Sequence, residues 1–188
     1  MNFMDDSQDS VTPTLDPATF THVQNRLDDG VLRLQFNRAD ASNALNLRSL
    51  EELAYLLDQL ELKESAKVVV ISGNEKAFSS GLDIAEHTDE NVYQLLDAFH
   101  RVARRMMELE CVTFSVVKGM ALGAGCELAA ACDFCFAVDT AKLGQPELKA
   151  GLFPTVAPVI YPRLVGMRRT FELILTGRIY DAREAETI

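Results

Sequence analysis

Positive charge is scarce in this sequence beside its negative charge. Only 18 Lys and Arg stand against 28 Asp and Glu, a formal net charge of -10 over 188 residues. Binding to nucleic acid rests on clustered Lys and Arg that neutralise phosphates, so this balance argues against nucleic acid as the main partner. Any anionic ligand must find a locally basic spot. A run of about 18 apolar residues, the least that a transmembrane helix needs, is also missing. The first ten residues, MNFMDDSQDS, are acidic where a secretory signal would be basic and then apolar. The chain therefore reads as soluble and cytoplasmic, with no membrane partner. Cysteine is scarce too: Cys111, Cys126, Cys132 and Cys135, all among apolar neighbours. Cys132 and Cys135 have the CxxC spacing of some metal sites. They fall in the strand-like ACDFCFAV, where residues three apart point to opposite faces, and no His follows nearby to complete a ligand set. The reading is no metal and four buried free thiols, as suits a reducing compartment. No strict repeat, low-complexity segment or second domain is visible.

With 48% hydrophobic side chains the chain can bury a sizeable core in one domain. Residues 1–17 are polar, acidic and punctuated by proline, and read as a flexible tail; residues 18–188 form the core. Phe20 to Leu27 and Val31 to Phe36 read as strands joined by a hairpin turn at Asp28, Asp29 and Gly30. In the helix expected from about Leu47 to Leu62, Leu50, Leu53, Ala54, Leu57 and Leu60 make one buried face. Lys67 to Ser72, KVVVIS, reads as a strand buried on both faces, followed by the loop GNEKAFSSGLDIAEH. A helix from Asp89 to Leu109 carries the stripe Val92, Leu95, Leu96, Phe99, Val102, Ala103 and Met106, with His100 on its flank as a packing or surface residue. Val112 to Val117 reads as a buried strand, Phe134 to Val138 as a strand, and Ala141 to Gly144 as a short extended piece. Pro154, Pro158 and Pro162 punctuate the next stretch. A last helix spans about Arg168 to Leu175 and is closed by Gly177. Pairs of strands followed by helices, repeated, make an α/β fold.

The stretch from Lys118 to Pro154 holds the chemistry. Gly119 to Cys132 is small and apolar except for Glu127, which follows Gly123, Ala124 and Gly125. The glycines permit close backbone approach, and the alanine-rich segment after them reads as a buried helix whose N-terminal amides are aimed at an anion or a polarised carbonyl. Glu147 follows Gln145 and Pro146, twenty residues on. Each glutamate alone has an ordinary reading: a first-turn helix residue satisfying nearby N–H groups, or a turn residue. Together with the amide corner they point to acid–base chemistry beside an oxyanion. Asp83 and Asp133 read as structural, holding a helix start and a turn. The GxGxxG dinucleotide pattern is incomplete.

Four blocks, FNRADASNALN, KAFSSGLDI, GMALGAGCELAAACD and LGQPELKAGLFP, occur here in an order and spacing that resembles the crotonase family, the enoyl-CoA hydratase and isomerase superfamily. The likeness runs from about Phe20 to Thr187. It implies a crotonase-like spiral of ββα units and an acyl-CoA thioester substrate. The oxyanion hole would be made by the backbone amides of Leu82 and Ala124, the latter standing where the family usually has glycine. The family's two hydratase glutamates map onto Glu127 and Glu147. Contacts to coenzyme A, itself part of the substrate so that no separate cofactor or metal is needed, map onto Arg38, Ala39, Ala41, Ser80, Gly81, Asp83, Ile84 and Gly123. The resemblance also implies a homotrimer or hexamer, and C-terminal helices beyond Ile188, so that the C-terminal helical region is truncated here. GLFPTVAPVIYPRLVG and AEHTDENVYQLLDAFHRV are similar to the cyclohexa-1,5-dienecarbonyl-CoA hydratase branch. The implied reaction is reversible addition of water to an α,β-unsaturated CoA thioester. The alternatives are double-bond isomerisation by Glu147 alone, or a non-catalytic thioester-binding or assembly module.

Overall fold

The computed structural model of the protein describes residues 19–63 and 66–188. The N-terminal tail read over residues 1–17 lies outside the described residues. The chain opens on an antiparallel hairpin, β1 (Val23–Asp28) and β2 (Val31–Phe36). Its two-residue turn holds Asp29 at φ 48° and Gly30 at φ 75°, the left-handed pair that matches the twist of the strands it joins. β1 starts three residues later than the sequence indicates. Helix α1 (Leu47–Lys63) is capped by Asn46, whose Oδ1 accepts the Ser49 N–H at 2.9 Å, and buries the expected stripe of Leu50, Leu53, Ala54, Leu57 and Leu60.

Each following unit repeats one move. β3 (Val68–Ser72), β5 (Val112–Val117) and β7 (Phe134–Ala137) pair in parallel beside β2, giving a five-stranded sheet in the order β1-β2-β3-β5-β7. The second strand of each pair, β4 (Ala77–Ser79), β6 (Met120–Leu122) or β8 (Lys142–Gly144), leaves for a smaller sheet that β9 (Ile179–Asp181) closes antiparallel to β8. The chain thus advances as a spiral of strand pairs, with α1, α2 (Val92–Glu108) and α3 (Ala124–Ala131) returning it to the large sheet. Gly119 is the corner residue between β5 and β6: a Cβ there would lie 2.0 Å from the Lys76 carbonyl oxygen, so only glycine fits.

Three-residue strands leave no periodicity, which is why β4, β6 and β9 are invisible in the sequence. A fourth helix, α4 (Ala157–Leu164), occupies the stretch that its prolines mark as irregular. Pro158 stands in the first turn, where no N–H is needed, and Pro162 forfeits one internal bond. Helix α5 (Gly166–Thr176) ends at Gly177 with φ 57°, as expected, and α6 (Ala182–Glu186) follows β9. Met167, Phe171 and Leu175, four residues apart on α5, are exposed. The thiol reading needs correcting. Cys126 and Cys132 are buried, but Cys111 is only half-buried and Cys135 is exposed, because β7 is an edge strand with no residue buried. Among the described residues no three His, Cys, Asp or Glu stand together as a metal site, and no helix is long and apolar enough to cross a membrane.

Candidate active site

The turn after β2 is folded onto the loop after β4 by its own polar residues. Asn43, at φ 55° and buried, accepts the Arg38 N–H at 2.9 Å and donates to the Ala77 carbonyl at 2.9 Å. Three backbone bonds then join the two segments: Ser80 N–H to Ser42 O, Leu45 N–H to Gly81 O and Asp83 N–H to Leu45 O. They use the amides of Ser80 and Asp83 and skip that of Leu82, while the Gly81 N–H goes to the Ser79 hydroxyl at 3.1 Å. Arg38 clamps the same corner. Its guanidinium donates to Asp83 at 2.9 Å and to the Ala44 carbonyl at 2.5 Å, and is four-fifths buried. Asp83 in turn accepts the Ala85 N–H and starts the 3-10 turn Ile84–Glu86, the structural role read for it from sequence.

The second amide comes from the start of α3. Gly123 N–H is taken by the Gly144 carbonyl at 2.9 Å, while Ala124, the first helical residue, has no acceptor one turn back. Among the described residues, neither the Leu82 nor the Ala124 N–H meets a protein acceptor. Gly81 brings the two together. Its φ of +104° suits no other residue, and a Cβ there would stand 3.0 Å from the Leu122 carbonyl and 3.6 Å from the Ala124 nitrogen. The alanine at position 124 is helical, so its Cβ costs the site nothing.

Glu127 lies one turn into α3, 2% exposed. It does not satisfy its own helix: Oε1 accepts the N–H groups of Val156 (2.9 Å) and Ala157 (2.5 Å), where α4 begins. Burial pushes its carboxyl up to about 7; those two amides oppose the rise, and the nearby Glu147 carboxylate adds to it. Glu147 opens the 3-10 turn Glu147–Ala150, is half-buried, and has its carboxyl raised by burial. It stands directly on the backbone of Gly123, where a Cβ would come within 2.6 Å of Oε1. Behind it, one end of the buried Gln145 amide lies 2.9 and 3.1 Å from the two carboxylate oxygens, and the other end lies 2.5 Å from the Tyr161 hydroxyl.

Leu82, Ala124, Glu127 and Glu147 line one cavity of about 550 Å³. Of the residues singled out from sequence, Ser80, Gly81, Leu82, Ile84, Gly123, Ala124, Glu127 and Glu147 all border it. Arg38, Ala39, Ala41 and Asp83 do not; they form the turn and clamp behind the Ser80–Asp83 loop. Its apolar wall includes Val92 and Leu96, counted as core from the α2 stripe yet only part-buried, together with Leu152 and Phe153. His87 and Lys149 also line it and escaped the sequence reading, although Lys149 lies two residues past Glu147. A larger cavity of about 630 Å³ is lined by Cys126, Cys132, Tyr161 and residues near Ile188, but has neither the paired glutamates nor the unspent amides.

The chain is similar to proteins of one known family. The profile of the enoyl-CoA hydratase/isomerase family matches residues 26–188. A protein of Mycobacterium tuberculosis described as a probable enoyl-CoA hydratase is 36% identical over 170 residues, which is 89% of this chain and 66% of that one. The short-chain-enoyl-CoA hydratase of Clostridium acetobutylicum is 36% identical over 156 residues, 79% of this chain and 59% of that one. The chain thus spans 59–66% of the length of these curated relatives. The crystal structure of an enoyl-CoA hydratase from Bacillus anthracis superposes with a TM-score of 0.84 at 32% identity, over 88% of this chain and 67% of that one. Fold, sequence identity and family profile agree, and the chain belongs to the enoyl-CoA hydratase/isomerase family, the crotonase superfamily.

Proposed function

We propose that the protein adds water reversibly across the double bond of an α,β-unsaturated acyl-CoA thioester. The observation that carries this reading is the convergence, in one cavity, of two carboxyls raised by burial and two backbone amides that meet no protein acceptor among the described residues. Attack of water at the β-carbon drives the π electrons toward the thioester oxygen. The Leu82 and Ala124 amides receive that charge, each worth about 3 kcal/mol to the transition state. Glu127 takes a proton from the water, Glu147 delivers one to the α-carbon, and dehydration reverses both transfers. Two nearby carboxyls in a dry site suit this exchange because their mutual repulsion favours one proton between them.

Coenzyme A is part of the substrate in this scheme, and no other cofactor enters. Its pantetheine is proposed to follow the Leu82–Ile84 backbone, with its phosphates toward the Arg38 turn. The apolar wall of Val92, Leu96, Leu152 and Phe153 suits an apolar acyl group. A cyclic dienoyl group is the finer proposal, and it rests on the likeness of the GLFPTVAPVIYPRLVG and AEHTDENVYQLLDAFHRV segments.

A second reading has one observation in its favour. Both α4 amides fall on Oε1 of Glu127 and tie that carboxylate to the fold, whereas no backbone N–H of another element is bonded to the Glu147 carboxylate among the described residues; Glu147 could then move a double bond alone. Incubating the purified protein with a panel of straight-chain enoyl and cyclic dienoyl thioesters, followed by product analysis, separates the readings. Hydration should yield the hydroxyacyl thioester, with Glu127→Gln and Glu147→Gln each lowering kcat at least about a hundredfold. Isomer without hydroxyacyl product would establish the second reading. Binding without turnover of any thioester would leave a non-catalytic thioester-binding module.

A further inference from the structure

Behind Glu147 stands a chain of buried polar side chains that the chemistry above does not use. Gln145, in the GQPE turn, is fully buried; Tyr161, on α4, is 4% exposed; Cys126, on α3, is 8% exposed. The Tyr161 hydroxyl lies 2.5 Å from the Gln145 amide and 3.3 Å from the Cys126 sulfur. Three separate elements converge on one line that ends at the Glu147 carboxyl. We propose that Gln145, Tyr161 and Cys126 form a hydrogen-bond chain with two complete arrangements, one for each protonation state of Glu147, and that the Tyr161 hydroxyl is its pivot. The proposal rests on the reading of Glu147 as a group that gives and takes a proton in turnover.

Counting donors and acceptors gives the two arrangements. When Glu147 is ionised it can only accept, so the Gln145 nitrogen faces it at 2.9 and 3.1 Å, and the Gln145 oxygen accepts the Tyr161 hydroxyl proton. The Cys126 S–H can then donate to the Tyr161 oxygen. When Glu147 is protonated its O–H donates to the Gln145 oxygen, and the amide is reversed. The Gln145 nitrogen now donates to the Tyr161 oxygen at 2.5 Å and to the Gly123 carbonyl at 3.4 Å, while the Tyr161 hydroxyl donates to the Cys126 sulfur. In each arrangement every hydrogen-bonding side chain of the chain has a partner, as buried polar groups require. A carboxyl backed by apolar side chains would leave one of its two states poorly solvated. Tyr161 and Gln145 are therefore positioning residues: neither needs to touch the substrate, and both act through Glu147.

The other titratable groups around Glu147 are Glu127 on α3, His87 from the loop before α2, and Lys149 on its own 3-10 turn. Cys135 on β7 is the further neighbour of Cys126. None of them is altered by the two variants that test the chain. Tyr161→Phe keeps the ring and removes the hydroxyl. The ionised arrangement then loses the donor to Gln145, whereas the protonated one keeps Gly123 as an acceptor, so titration of Glu147 moves to higher pH. Cys126→Ala leaves the Tyr161 hydroxyl without its acceptor when Glu147 is protonated, but when Glu147 is ionised it removes only a weak S–H donor to an oxygen whose hydroxyl stays bonded to Gln145; the protonated arrangement loses more, so titration moves to lower pH.

The Glu147 carboxyl is read directly, by infrared difference spectroscopy of the unliganded protein against pH, its band assigned by its loss in Glu147→Gln. Shifts of at least about half a pH unit, up for Tyr161→Phe and down for Cys126→Ala, are expected. Shifts of the same sign, or none, overturn the proposal. If Tyr161→Phe does not fold, Cys126→Ala decides alone: a downward shift supports the chain, and an unchanged or upward one refutes it. The infrared titration needs no substrate. A wild-type protein that hydrates no enoyl thioester would thus defeat the proposed function while leaving this result to stand or fall separately. Where turnover is seen, the Glu147 limb of the kcat profile must move with the infrared titration while KM stays near its wild-type value.

Discussion

Replacing Glu127 by Gln removes a charge while leaving the connection to α4 in place, because the amide oxygen can still accept the Val156 and Ala157 N–H groups on the side where Oε1 now does. The variant therefore isolates the cost of holding a carboxylate in a site only 2% exposed. Burial raises this carboxyl from 4.5 to about 7. A folded-state value above the unfolded one means that the folded protein binds the proton more tightly. The associated stability is present in full below pH ~4.5 and is lost as pH rises through ~7. The span of about 2.5 pH units corresponds to about 3 kcal/mol, at about 1.4 kcal/mol per unit. Gln forfeits none of it, so Glu127→Gln should match the wild type within a constant offset in acid and gain up to about 3 kcal/mol on it by about pH 8. For a chain of this size that is roughly 6–12 °C in Tm. Urea unfolding near pH 5 and about pH 8 measures the difference. Stability gained at alkaline pH together with lost hydration would mark Glu127 as a site residue maintained against the fold's preference. A stability difference that is the same at both pH values, or smaller at the higher one, would refute the reasoning.

Other perturbations have separable outcomes. Gly123→Ala adds a Cβ 2.6 Å from Glu147 Oε1 at a φ of +52°, so it should displace that carboxylate and lower kcat more than tenfold, with a stability loss of about 1–3 kcal/mol; kinetics and urea unfolding check the pair of effects. Glu52 is buried beneath β1; burial works against its charge but is outweighed by Arg48 and by the amides of Val23, Thr21 and His22, which hold its carboxyl low. Glu52→Ala strands those amides and should cost about 3 kcal/mol or more at neutral pH. Because the wild-type carboxyl is lowered, its contribution is present above the unfolded value and fades as pH falls through the folded one, so the deficit measured by urea unfolding must shrink in acid. Arg38→Ala breaks the clamp to Asp83 and Ala44 that holds the Leu82 loop. The KM of a CoA thioester should rise several-fold, and this rise should persist at high salt if the clamp, rather than a screened phosphate contact, is what is lost.

Elements whose signal is carried by neighbours along the chain are legible in the sequence itself. Asp29 and Gly30 announce the hairpin, the leucines of α1 and the stripe of α2 announce their buried faces, and the KVVVIS and VTFSVV runs announce the parallel strands. The same holds for Glu127 and Glu147, two carboxylates in an apolar stretch beside a glycine corner. Their convergence, with the Leu82 and Ala124 amides, in one cavity was implied by the four blocks acting together. What the tertiary structure alone decided is who partners whom across long separations. Glu127 reaches the start of α4 about thirty residues on, a helix hidden by its prolines, because packing brings that N-terminus to the carboxylate. Gln145 turns out to be fully buried between Glu147 and Tyr161, though nothing in GQPE distinguishes it from a turn residue. Val92 and Leu96 fit the core period of α2 yet face the cavity, since a helix stripe is wider than the surface it packs against. Cys135 is exposed because β7 is the last strand of its sheet. Periodicity and turn chemistry are set by a few adjacent side chains, so they are written locally. Sheet order, edges and the meeting of distant polar groups exist only once the whole spiral has closed.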